Sequence, residues 1–165
     1  MPELNFDEIS IVAPCLGKPL KTPFFVACMT AGHPGAPALN IRLARACAQR
    51  GWVFGVGSQR RELESREGTK QIDAWKRLRS VAPDLFLISN VGAAQILSYP
   101  PSRILKLTRD VGAQAIAVHL NPLQEALQPE GTPHFKGVRD GIKALILESQ
   151  LPVIIKETGS GMSPA

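Results

Sequence analysis

Residues 115–131 read AIAVHLNPLQEALQPEG, and the first six of them alternate. Ala115, Ala117 and His119, continued by Asn121, fall on one side, while Ile116, Val118 and Leu120 fall on the other. Alternation with period two is that of a β-strand. The branched side suits a surface covered by helices. The other side is small and turns polar toward its C-terminal end, which is where parallel sheets present ligand-binding groups. The stretch therefore predicts a parallel strand, helix-covered on one face, with chemistry at its tip.

The rest of the chain repeats this unit. Apolar, β-rich runs occur at 23–29 (PFFVACM), 52–57 (WVFGVG), 85–90 (LFLISN) and 152–157 (PVIIKE). Helix-length segments separate them. One spans 36–50, with Leu39, Leu43 and Cys47 at helical spacing and Gly51 as a left-handed cap. Others are expected at 70–81, ahead of Pro83, at 102–111, stopping at Gly112, and at 139–148, ahead of Pro152. Strands alternating with helices argue for βα units and a parallel sheet. Ahead of them, LGKPL at 16–20 reads as a tight turn between two short strands, a hairpin able to plug one end of a barrel. Units of about 30 residues fit an open doubly wound sheet or the first part of a (β/α)8 barrel, and the pattern leaves both open. No linker or low-complexity tract interrupts residues 1–165, so one domain is expected.

Composition narrows the partners. At 44% hydrophobic and 20% charged, the 165 residues are globular in character. The formal net charge is +5, but the basic residues are scattered and aromatics make up only 5%, so no stacking platform for nucleic acid accompanies them. A small anionic ligand fits better. Cys15, Cys28 and Cys47 show no CxxC spacing and are expected to be reduced, in an intracellular protein. The first ten residues carry acids where a signal peptide carries bases, and no apolar run reaches membrane-spanning length; a cytoplasmic protein without membrane contact is expected.

Within six residues of His119 come Asn121, Gln124 and Glu125. A diphosphate needs hydrogen-bond donors for its oxygens and usually Mg2+, which takes one or two carboxylates and keeps water. One Glu beside His, Asn and Gln suits that better than zinc, which wants three close ligands. In GVGSQRRELES at 55–65, Arg60 stands where a dinucleotide fingerprint needs its third glycine, so Ser58 and Arg60 read as phosphate ligands or as a solvated surface. Glu62 and Glu64 are expected on the solvated face. ACMTAGHPG at 27–35 leaves the first strand through small residues, which admit a flat ring or simply make a βα turn. Asn90 closes the third strand. Lys156 either stabilises negative charge on a ligand or pairs with Glu157. His33 and His134, in Pro/Gly loops, are expected to be exposed rather than catalytic.

Read in order, LGKPLKTPFFVACMTAG, LNIRLARACAQRG, GVGSQR, NVGAAQ, HLNPLQEALQPEG, FKG and VIIKETGSGMS resemble the type 2 isopentenyl diphosphate isomerases, FMN-dependent (β/α)8 barrel enzymes. The resemblance covers nearly the whole chain. It implies an α/β fold, a parallel barrel of TIM type that is incomplete, with about five of eight βα strands, and a short N-terminal hairpin. It implies interconversion of isopentenyl and dimethylallyl diphosphate, a step of isoprenoid biosynthesis, by proton transfer at a reduced flavin, with FMN and Mg2+ as cofactors and NADPH as the flavin reductant. Carried over, it places Cys28, Met29, Thr30, Ser58, Asn90 and Lys156 around FMN. It places Arg60, His119, Asn121 and Gln124 around the substrate, with Gln124 and His119 as the catalytic pair, and gives Glu125 the metal.

Three departures stand out. Ala31 occupies a position where family members commonly have glycine, restricting a turn. The family's N-terminal Arg-Lys pair has no counterpart before LNFDEI, and its last three strands, whose loops hold the FMN phosphate, would follow SGMSPA. Five strands cannot close a barrel. The expectation is therefore a chain inactive alone that requires a C-terminal half or self-association. An FMN-dependent oxidoreductase of the 2-hydroxy-acid type would share the barrel and the strand-end Lys but has no use for NPLQE; a noncatalytic half-barrel module is the third reading.

Overall fold

The computed structural model describes residues 3–64 and 68–163. It begins with the hairpin. Strands β1 (Ala13–Cys15) and β2 (Lys18–Leu20) pair antiparallel, Ala13 opposite Leu20 and Cys15 opposite Lys18. Leu16 and Gly17 make the turn at φ 49° and 78°, the left-handed pair whose twist matches two-residue hairpins.

Five parallel strands follow: β3 (Phe25–Val26), β4 (Val53–Gly55), β5 (Leu87–Gly92), β6 (Ala115–Leu120) and β7 (Val153–Glu157). They lie side by side in that same order. A doubly wound sheet reverses its strand order at a switch point. None occurs here, and the helices pack on one face, so the sheet is a curled half-barrel.

The crossovers are α1 (Ala36–Arg50) after β3, α2 (Arg60–Glu64) and α3 (Gly68–Val81) after β4, and α4 (Ala93–Ser98) and α5 (Pro101–Asp110) after β5. After β6 come α6 (Pro122–Leu127) and α7 (Val138–Glu148). The expected helices are present within two residues, and Gly51 caps α1 at φ 69°. The short helices α2, α4 and α6 fall where the sequence pattern predicts no helix. At five or six residues they are too short to show helical periodicity. Strand β3 is shorter than the apolar run around it. Tight turns from Met29 N–H to the Ala27 carbonyl at 2.8 Å, and from Ala31 N–H to the Met29 carbonyl at 3.3 Å, draw the chain off the sheet.

The two faces divide as the alternation in β6 predicts. Ile116, Val118 and Val91 pack outward against Ile104 and Leu107 of α5 and Ile142 and Leu145 of α7. A second outward cluster joins Phe54 and Leu87 to Ala44 and Cys47 of α1 and to Trp75 and Leu78 of α3. Each fully buried branched chain contributes about 1.5–3 kcal/mol relative to exposure. Ala115, Ala117, Val53, Ile88 and Cys28 form the inner face, and Leu20 of the hairpin packs onto it. Small side chains there leave room at the strand tips. Each end of the sheet is an open edge: Phe24 and Phe25 beside β3 are 58% and 56% exposed, and Ile155 of β7 is 42% exposed.

All three cysteines are free. Among the described residues, no helix is long and apolar enough to cross a membrane.

Candidate active site

The sheet register assembles the site. Gly92, His119 and Lys156 are Cα partners across β5, β6 and β7. They lie at the C-terminal ends of these strands, where a cavity of about 510 Å³ opens. Cys28, Met29, Ser58, Arg60, Asn90, His119, Asn121, Gln124, Glu125 and Lys156 all line it. Each of the five parallel strands, or the loop that follows it, therefore supplies at least one candidate. Thr30 is the exception. Its hydroxyl donates to Asn40 Oδ1 and its carbonyl accepts from Asn40 Nδ2 at 3.0 Å, tying the loop after β3 to α1 beside a neighbouring cavity of about 250 Å³. Ala31 causes no strain, since the left-handed residue of this loop is Gly32 at φ 81°.

His119 is half-buried. Its Nδ1 lies 3.0 Å from Asn90 Oδ1, and Asn90 Nδ2 donates to the Cys28 carbonyl at 3.4 Å. That second bond fixes the amide with its oxygen toward the ring, so Nδ1 of the neutral imidazole carries the proton and Nε2 keeps a lone pair. Burial, and then the positive charge of Lys156, hold its pKa down to about 4, against an opposing pull from Glu125. The imidazole is neutral at pH 7. There is no room for a side chain at Gly92, where a Cβ would stand 3.0 Å from His119 Nε2 and 2.4 Å from Gln95 Oε1.

Asn121, 8% exposed, organises the loop cluster. Its Nδ2 donates to Glu125 Oε1 at 3.0 Å and to Gln124 Oε1 at 3.3 Å. Glu125 Oε2 accepts from Thr132 N–H at 2.7 Å, which folds the chain back over α6. Gly131 makes this possible: a Cβ there would come within 2.0 Å of the Glu125 carbonyl oxygen. Each carboxylate oxygen thus has one donor and retains lone pairs. Among the described residues, no group of three His, Cys, Asp or Glu gathers at a metal-binding distance.

Lys156 faces the cavity without Glu157 as a partner. Glu157 instead accepts from Gly159 N–H at 2.6 Å, Gly161 N–H at 3.0 Å and the Thr158 hydroxyl at 3.1 Å, and the Gly159 and Thr158 backbone bonds lead in pulling its pKa down to about 2. His33 and His134 are exposed, as expected.

The expectation of a solvated face holds for Glu64, which is exposed, and is corrected for Glu62. Glu62 is not solvated; it accepts from Trp75 Nε1 at 2.6 Å, and burial pushes its pKa up. Glu64 pairs with Arg60, Nε to Oε1 at 2.7 Å. Two glutamines had no signal in the sequence. Gln59 is fully buried, and its Oε1 accepts from Asn90 N–H at 3.0 Å and from the Ser89 hydroxyl. Gln95 donates to Glu64 Oε1 at 3.2 Å. Their partners lie 30 or more residues away, beyond the reach of any local pattern.

No family model matches the chain. Individual proteins do. Over 163 residues, 99% of its length, the chain is 44% identical to the isopentenyl-diphosphate delta-isomerase of Legionella pneumophila strain Lens, covering 47% of that protein. It is also 44% identical to proteins of that name from Methanosarcina mazei, over 163 residues and 44% of the relative, and Bdellovibrio bacteriovorus, over 167 residues and 47% of the relative. The chain spans about half the length of the curated relatives it matches. Along nearly all of its own length, it is similar to proteins named isopentenyl-diphosphate delta-isomerase.

Proposed function

We propose that this chain carries the flavin-facing and diphosphate-facing walls of an FMN-dependent, type 2 isopentenyl-diphosphate isomerase. One observation carries the reading: residues from all five parallel strands and their following loops converge on a single cavity at the C-terminal ends of the strands. The similarity to proteins named for the same reaction supports it.

The donor set suits the groups this chemistry needs. Arg60, His119 and Asn121 would hold the diphosphate, with Arg60 offering a charged fork to its oxygens. Gln124, at the first turn of α6, would lie beside the reacting carbons. Mg2+ is satisfied by one carboxylate when phosphate oxygens and water complete its shell, and Glu125 offers one. For FMN, exposed Met29 and buried Cys28 provide an apolar approach, and Ser58, Asn90 and Lys156 a polar edge. Reduced FMN, kept reduced by NADPH, would supply proton transfer at the N5 edge. Lys156 would stabilise its negative charge, and the neutral His119 would stand ready to take up a proton at Nε2. The Gly159 and Gly161 amides are occupied by Glu157, so the FMN phosphate would be held elsewhere. The open edges at β3 and β7 favour closure of the barrel by further βα units or by a second copy of this chain.

Titration with FMN, followed by flavin fluorescence, tests this. Saturable quenching that strengthens with Mg2+ and isopentenyl diphosphate is expected. Unchanged fluorescence up to high FMN would remove the flavin reading for this chain.

A further inference from the structure

The carboxylate of Glu64 is where two walls of the cavity meet. Its Oε1 accepts from Arg60 Nε at 2.7 Å within α2 and from Gln95 Nε2 at 3.2 Å on α4. Gln95 is only 5% exposed and is held from behind by the bare backbone of Gly92, beside His119. Arg60 also reaches across the cavity, Nη2 donating to the Glu130 carbonyl at 3.4 Å. These contacts use Nε and Nη2 and not Nη1. A solvated Arg–Glu pair one helical turn apart contributes little on its own. Here the same carboxylate is anchored by a buried amide from the next βα unit, so the guanidinium is constrained by a part of the fold outside its own helix.

We propose that Glu64 and Gln95 are positioning residues: the chain of contacts Gln95–Glu64–Arg60 holds the Arg60 guanidinium over the cavity, so that it meets the substrate diphosphate already ordered. The proposal rests on the diphosphate reading given above. Long side chains lose rotamer freedom when they bind, and a side chain ordered beforehand avoids that cost. Neither residue touches substrate in this scheme. Both act through Arg60.

The test uses the chain labelled with 15N-arginine, and inorganic pyrophosphate with Mg2+ as the probe. The parent is compared with Glu64→Ala, Glu64→Gln, Gln95→Met and Arg60→Met. In the parent, the Arg60 Nε–Hε resonance should be sharp and slow to exchange with solvent. It should broaden in Glu64→Ala and Gln95→Met and partly recover in Glu64→Gln, which keeps an acceptor oxygen without the charge. Pyrophosphate affinity by calorimetry should fall about three- to tenfold in the first two variants and recover in the same conservative one. Glu64 lies at the surface, so its variants separate positioning from folding even if the buried Gln95→Met unfolds. An unchanged Nε–Hε signal overturns the proposal. So does pyrophosphate affinity within about twofold of the parent while Arg60→Met loses binding. If the parent itself binds no pyrophosphate, the diphosphate reading fails, and the Nε–Hε signal still decides whether the contacts order Arg60.

Discussion

Lowering the pH from 7 to 5 should destabilise this chain through one residue of the site more than through any general effect. His119 sits opposite Gly92 and Lys156 in the sheet, and burial followed by the Lys156 charge brings its pKa from 6.5 to about 4. Between those values the unfolded chain binds a proton at this residue and the folded chain does not. Stability is therefore complete above pH 6.5 and falls as the pH drops toward 4. At about 1.4 kcal/mol per pH unit, the whole window amounts to roughly 3 kcal/mol, of which roughly 2 kcal/mol is lost by pH 5. His119→Gln removes the titrating ring and keeps a polar, planar group beside Asn90. Urea unfolding of chain and variant at pH 7 and pH 5 isolates the difference, because carboxylates elsewhere titrate in both. The chain should lose roughly 2 kcal/mol more than the variant. Three histidine ring signals are expected in NMR, and the one missing from the variant identifies His119. If that signal titrates near 6.5, or the two stability profiles superimpose, the argument for a neutral, desolvated imidazole is wrong.

Two further outcomes test the frame around the site. Arg79 donates from Nη1 to the carbonyls of Pro83 at 2.8 Å and Leu85 at 2.7 Å, and from Nη2 to the Gly112 carbonyl at 2.6 Å, so it braces the ends of α3 and α5 at the pole opposite the cavity. Arg79→Ala should cost about 2–4 kcal/mol in urea unfolding, with only partial recovery in Arg79→Lys; a loss under about 0.5 kcal/mol would remove the brace. A Cβ on Gly57 would come within 2.5 Å of the Thr30 carbonyl group and 2.4 Å of Ala31 Cβ. Gly57→Ala should therefore displace the loop after β3, cost about 1–3 kcal/mol and weaken FMN quenching; normal stability with normal quenching would show that the contact is slack.

What the sequence made legible, and what it did not, follows from the range of the interactions. Strand β6 was readable to the residue because its two faces differ: Ile116 and Val118 need helices, and Ala115 and Ala117 need space. The same alternation said nothing of strand order. An open doubly wound sheet and a half-barrel share it, and only the unbroken order from β3 to β7 separates them. Polar residues at strand tips were likewise readable one by one, because a His or Lys ending an apolar strand is out of place unless something there needs it. Which of them hold which was not readable. Asn90 sets the tautomer of His119 from 29 residues away, and Gln95 reaches Glu64 across 31. Glu62 and Glu64 looked like solvated charges because α2 is a single short turn with no apolar stripe to orient it. The part-burial of Glu62 by Trp75, and the bond from Gln95 to the exposed Glu64, exist only once α3 and α4 pack beside it. The residues that would touch ligand therefore lie on the strands and first turns that the sequence exposes, whereas Glu64 and Gln95, which position Arg60, lie on the short helices it conceals. Substitutions aimed only at the legible set would leave untested the contacts that give Arg60 its direction.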